Sequence, residues 1–158
     1  KSILNEKKLG VEYRSLENLL KESDFISLHF PLTNDTYNLI DKNKLKMIKR
    51  NAVIINTSRG EIIDEDELAD ALIEDRISGA GIDVFQTEPL PLNSRLLKTK
   101  NTILTPHIGS ATYITRNLMS EISSNNLLSV LKGKEPLYLF NQNVKKIRSL
   151  DETRMIYN

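Results

Sequence analysis

Four short, apolar, β-branched segments constrain this chain more than any other feature: Phe25 to Leu28, Ala52 to Ile55, Gly81 to Phe85 and Thr102 to Leu104. Centred on Ile26, Ile54, Ile82 and Ile103, they stand 28, 28 and 21 residues apart. That is too far for hairpins and close to the length of a strand, a crossover and a return, so parallel pairing is expected. The intervening stretches carry helix starts. Ser15 precedes Leu16, Leu19 and Leu20; Asp41 precedes Leu45 and Ile48; Asp64 precedes an inward set of Leu68, Leu72 and Ile73. Glu65, Asp66 and Glu67 suit the positive end of that third helix and are read as capping residues, not as a metal site. Asn51 stands where a helix stop is wanted, because Asn tolerates the left-handed conformation. Strands buried on both faces and separated by helices predict a doubly wound α/β sheet.

Beyond Thr105 the pattern changes. Ser110 to Lys132 reads as one long helix with Ile114, Leu118 and Ile122 in a stripe, covered on more than one side and ended by Gly133. Residues 134–158 contain Pro136 and little periodicity, which predicts an extended segment and then a mobile end. Composition narrows the classes of function. With 22 Lys and Arg against 21 Asp and Glu, the net charge of +1 gives no reason to expect nucleic acid or a membrane surface. The absence of cysteine excludes disulfides and thiolate metal sites and is compatible with a reducing, cytoplasmic setting. No apolar run reaches the roughly 20 residues of a membrane span.

In a doubly wound sheet, ligands bind beyond the carboxyl ends of the strands. The residues there are His29 to Thr33, Asn56 to Gly60, Gln86 to Pro91 and Pro106 to Ser110. Both histidines, an arginine and a glutamate fall on this one edge. His107 lies in a turn beside free backbone amides at an expected helix start; an imidazole there can exchange a proton near neutral pH, or simply hold a structural hydrogen bond. Glu88 can orient such a ring or be a solvated loop residue. Arg59 can grip a small carboxylate through its planar fork or join a surface ion pair. Asp83, a carboxylate at the end of an apolar strand, demands a partner such as an amide, an arginine or a cofactor. His29 is read as structural.

At these same positions the sequence resembles the D-isomer-specific 2-hydroxyacid dehydrogenases. The matching blocks are Ser23 to Thr33, Asn56-Thr57-Ser58-Arg59-Gly60, Gly79 to Phe85 followed by Glu88-Pro89-Leu90-Pro91, and Thr105 to Thr112, in the family's order. His107 through Thr115-Arg116-Asn117 and Asn125 to Leu128 are most similar to the glyoxylate reductase/hydroxypyruvate reductase branch. The resemblance implies a partial Rossmann-type doubly wound parallel sheet with a long C-terminal helix. It implies that residues 1–109 are the C-terminal half of an NAD(P)-binding domain, 110–133 a linking helix and 134–158 a remnant of the substrate domain.

The same resemblance implies site roles. Arg59 would bind the carboxylate and carbonyl of a 2-oxoacid, His107 would donate and accept the proton, and Glu88 would pair with His107. Asp83 would hold the nicotinamide carboxamide of NAD(P)H, with Pro31, Thr57, Ser58, Gly109 and Ser110 near the cofactor. The family's glycine-rich phosphate loop has no counterpart in the chain, so a fragment that needs its upstream half is expected, inactive by itself and part of a homodimer when full length. Two other readings stay open at this point: a corepressor-like NAD(H)-dependent binding protein on the same scaffold, and an inactive truncated product.

Overall fold

The computed structural model describes residues 3–144, and the mobile end expected in the tail lies partly outside them. The chain divides into two compact units, 1–109 and 110–158. The first opens with helix α1 (Ile3–Leu9) and α2 (Leu16–Glu22), then strand β1 (Phe25–Leu28), helix α3 (Lys42–Leu45), strand β2 (Val53–Asn56), helix α4 (Glu65–Ile73), strand β3 (Gly79–Ile82) and strand β4 (Thr102–Leu104). Short 3-10 turns occupy Gly60–Ile62 and Arg95–Lys98. The strands form one four-stranded sheet in the order β1-β2-β3-β4, every pair parallel. This is a partial Rossmann-type α/β sheet.

The expected caps are present. The side chains of Ser15, Asp41 and Asp64 accept from the backbone amides of Asn18, Lys44 and Glu67, satisfying donors that the first turn of each helix leaves free. Asn51 does not adopt a left-handed conformation: Asp75, just past α4, does, with φ 52°. The amide of Asn51 instead donates to Asp24 at 3.2 Å. Ile73 is not inward either and remains half exposed. It lies five residues after Leu68, and the buried face of α4 is set by Leu68, Ala69, Ala71 and Leu72.

Parallel register puts Ile26, Ile54 and Ala80 in one row and Leu28, Asn56, Ile82 and Leu104 in another on the same face. Those rows and Leu20, Leu45, Leu68 and Leu72 from the three helices share one core. The opposite face was expected to be buried and is covered only in part: Gly79 is buried and Val53, Ile55 and Gly81 are half-buried. Phe25 is 72% exposed and Ile103, in the row of Ser27, Ile55 and Gly81, is 73% exposed. The helices of this unit contribute to the core on the other side only, and an apolar strand run carries no mark of how many faces its own chain will cover.

Strand boundaries also differ from expectation. β2 ends at Asn56 instead of Ile55, and β3 runs Gly79–Ile82, so Asp83, Val84 and Phe85 follow the strand. Gly79 is required by close approach, since a methyl group there would lie 2.9 Å from the carbonyl oxygen of Asn101. The second unit holds helix α5 (Tyr113–Leu131), which starts three residues later than expected because Thr112, not a residue nearer Ser110, caps it by accepting from the Thr115 amide. Gly133 follows with φ 65°, as a helix stop requires. No residue of α5 is buried, contrary to the expected cover on several sides. The following segment is tied to α5 through Asn126, whose side-chain amide bonds both the amide and carbonyl of Tyr138. No helix among the described residues is long and apolar enough to cross a membrane.

One contact fixes the relation of two rim loops. A methyl group at Gly60 would lie 2.0 Å from the carbonyl carbon of Phe85, which leaves no room for any other residue. Gly60→Ala is therefore expected to cost about 3 kcal/mol or more. Urea unfolding of the purified chain checks this, and a loss below about 1 kcal/mol would mean that the two loops part easily.

Candidate active site

Two buried polar side chains, Asn56 and Asp83, organise the carboxyl edge of the sheet. Asn56 ends β2 and staples the turn behind it. Its carbonyl oxygen accepts from the Ser58 amide at 3.1 Å and the Ser58 hydroxyl at 2.9 Å, and its Nδ2 donates to the Arg59 carbonyl at 2.8 Å. Its importance was not read from the sequence. The signal was available, because a polar residue closing an apolar strand must find partners in the adjoining turn.

Asp83 does the same after β3 over a longer span. Oδ1 accepts from the Thr105 hydroxyl at 2.5 Å and the Ile108 amide at 2.9 Å, while Oδ2 accepts from the Gly109 amide at 2.9 Å. Its main-chain carbonyl accepts the His107 amide at 2.8 Å. Burial pushes the Asp83 carboxyl up, but the hydrogen bonds from Thr105, Ile108 and Gly109 outweigh it and hold the group below the usual carboxylate range. The amides beside His107, expected to be free, are thus occupied by Asp83.

This clamp gives His107 a left-handed backbone with φ 52°, an uncommon conformation for a residue with a side chain. Its Nδ1 lies 2.8 Å from Oε2 of Glu88, and the pair is partly open to solvent. The other oxygen, Oε1, accepts from the Phe85 amide at 3.1 Å. The bonds from His107 and then from Phe85 hold the Glu88 carboxyl below its ordinary value. An ionised carboxylate can only accept, so Nδ1 must carry the hydrogen and Nε2 is the nitrogen left to work on a ligand.

Arg59 stands on the same rim, one residue before the Gly60 contact with Phe85. Its guanidinium is not drawn to Glu88 or His107; Nη1 donates to the Ser58 carbonyl at 2.6 Å and the side chain is exposed. Glu88, His107 and Asp83 therefore form one connected set, and Arg59 is near in the chain path but folded onto its own loop. Pro31 and Thr57 are exposed at the strand ends, the Pro31 carbonyl accepting from Thr36 Oγ1 at 2.7 Å. Gly109 is held by Asp83, and Ser110 is exposed in the second unit. His29 bonds Ser27 at 2.9 Å, in keeping with a structural role.

The profile described as "D-isomer specific 2-hydroxyacid dehydrogenase, NAD binding domain" matches residues 1–109. The chain belongs to this family. It is 50% identical over 143 residues to a glyoxylate reductase of Korarchaeum cryptofilum, covering 90% of this chain and 43% of that protein. It is 51% identical over 139 residues to a glyoxylate reductase of Thermococcus litoralis, covering 88% and 42%. Among solved structures, a glyoxylate reductase from Paecilomyes thermophila matches with a TM-score of 0.79 at 34% identity, over 90% of this chain and 43% of that one. The TT0316 protein of Thermus thermophilus matches with a TM-score of 0.81 at 44% identity, over 83% and 42%. The chain spans less than half the length of these relatives.

An NAD-binding family poses a test of fit for the residues present. Oδ2 of Asp83 takes a single amide hydrogen, so it retains capacity for one more donor of the kind a carboxamide offers. The nicotinamide end fits. The glycine-rich cradle for a pyrophosphate is not among these 158 residues.

Both carboxyls, Asp83 and Glu88, are held below their unfolded values. Their stabilising effect is therefore complete above the ordinary carboxylate range and is lost as pH falls through the lowered folded-state values. Asp83→Asn is expected to cost about 1–3 kcal/mol at neutral pH, through a buried acceptor lost. It should also make stability less sensitive to acid than in the unmodified chain. Urea midpoints at neutral and acidic pH measure both effects, and an unchanged pH slope would mean that Asp83 is not the linked group.

Proposed function

We propose that this chain supplies the proton-transfer and substrate-binding edge of a reductase that converts small 2-oxoacids, such as glyoxylate or hydroxypyruvate, to 2-hydroxyacids with NADH or NADPH. The observation that carries the reading is the His107 Nδ1 to Glu88 Oε2 bond of 2.8 Å on the rim of an NAD-binding sheet. Family membership and the glyoxylate reductase relatives support it.

Reduced nicotinamide, when bound, supplies a hydride to the keto carbon. The chain's own residues manage the rest. Nε2 of His107 gives a proton to the keto oxygen as that oxygen gains charge, and Glu88 stabilises the doubly protonated ring before transfer and fixes its orientation. The Arg59 guanidinium exchanges the Ser58 carbonyl for the substrate carboxylate, where its fork can make two parallel bonds and polarise the adjacent carbonyl. Asp83 orients the carboxamide and, through the 105–109 turn, the imidazole itself. Pro31, Thr57, Ser58 and Gly109 would line the cofactor's path. The working protein is a homodimer that includes a glycine-rich half.

The purified 158-residue chain is expected to show no glyoxylate-dependent oxidation of NADH or NADPH. Joined to a glycine-rich half from one of its relatives, it should gain turnover. In that assembly His107→Ala should lower kcat by about 10²- to 10⁴-fold. Arg59→Lys should chiefly raise KM for the oxoacid. An undiminished rate in the histidine variant would remove His107 from the chemistry.

A further inference from the structure

Between the buried Phe85 and the buried Leu96 runs the loop that carries Glu88, and its residues 86–89 are exposed. A stretch with so little side chain in the core takes its direction from polar ties at its start. One tie is internal: Oε1 of Glu88 accepts from the Phe85 amide at 3.1 Å. The peptide unit joining Phe85 to Gln86 lies inside that small turn, so its orientation sets how the Glu88 carboxylate is aimed at Nδ1 of His107.

That peptide unit is held from outside at both of its polar ends. Its carbonyl packs against Gly60. Its N–H, that of Gln86, donates to Oε2 of Glu65 at 3.1 Å, and the Gln86 side chain adds a bond of 2.9 Å to the Ile63 carbonyl. A planar peptide fixed at its carbonyl and its amide cannot swing without losing one of them. Oε1 of Glu65 meets the far end of the same loop, where it accepts a long bond of 3.5 Å from the Ser94 hydroxyl.

The capping role expected of Glu65 does not account for these bonds. Asp64 supplies the cap of α4, and of the other acids on that helix Glu67 pairs with Lys42 and Asp70 with Arg95. Glu65, half-buried, turns its two oxygens to the loop instead. We infer that Glu65 is a positioning residue of the reduction, tying down the loop that carries Glu88 and, through Glu88, the imidazole of His107. The inference rests on the reading of His107 as the proton donor oriented by Glu88.

Two substitutions separate this role from a charge that merely suits the start of a helix. Gln keeps the length and an oxygen for the Gln86 amide but gives up the charge; Asp keeps the charge and falls one methylene short of the loop. The His107 tautomer is read by nitrogen NMR in the purified 158-residue chain, above the pH at which the ring loses its charge. Glu65→Gln is expected to retain hydrogen on Nδ1. Glu65→Asp should lower the ratio of Nδ1–H to Nε2–H at least about tenfold, toward that of Glu88→Ala. Loss of the tautomer in Glu65→Gln, or its retention in Glu65→Asp, overturns the tie and leaves the His107–Glu88 reading standing. A dominant Nε2–H form in the unmodified chain removes that reading and the tie with it. Amide exchange needs no variant, so it decides even where a substitution prevents folding: the Gln86 amide should exchange at least about tenfold more slowly than its unprotected rate. An unprotected Gln86 amide overturns the inference.

Discussion

The buried carboxylate of Asp83 is the interaction on which the rest of this edge depends. It directly follows β3, and it reaches forward 22 to 26 residues to collect a hydroxyl and two amides from the turn after β4. A carboxylate removed from water is costly unless its lone pairs are taken, and here three donors take them. The same bonds fix the turn in which His107 adopts a positive φ. Backbone strain of this kind persists only where surrounding contacts over-determine it. The position of the imidazole is therefore a consequence of where β3 stops.

From that point the geometry propagates along the rim. The His107 ring meets Glu88, Glu88 is anchored to the Phe85 amide, and Phe85 lies against Gly60, which follows Arg59. Asn56 staples the Arg59 turn from below, as Asp83 staples the His107 turn. Arg59 and His107 thus sit on loops whose conformation is set by a buried polar residue, Asn56 at the end of β2 and Asp83 just past β3. Surface ion pairs such as Lys42 with Glu67 and Lys49 with Asp24 are screened by solvent and take no part in this rim network.

Much of this was legible in the residues. β-branched runs at crossover spacing marked all four strands, and Ser15, Asp41 and Asp64 marked three helix starts, because capping is a local interaction completed within three residues. The candidates His107 and Glu88 followed from the rule that loops at the carboxyl edge carry function. What escaped depends on longer-range contacts. Asp83 to Phe85 read as strand because they continue an apolar run, whereas the partners that hold Asp83, Thr105, Ile108 and Gly109, lie far along the chain. Asn51 looked like a helix stop because its propensity is known and its actual partner, Asp24, is not nearby in sequence. The fold of the Arg59 side chain onto Ser58 is a rotamer choice that no pattern encodes. The exposure of Phe25 and Ile103 escaped for a similar reason, since apolar strands read alike whether one face or two are covered.

The central claim is that an ionised Glu88 takes the hydrogen on Nδ1 of His107, so that Nε2 is the nitrogen that carries the transferred proton: protonated before it gives that proton to the keto oxygen, bare afterwards. With two histidines in the chain, long-range proton–nitrogen NMR of the imidazole rings resolves each tautomer directly. Above the pH at which the rings lose their charge, the account predicts Nδ1–H for His107, reverting in Glu88→Ala. A dominant Nε2–H form of His107 in the unmodified chain would contradict it.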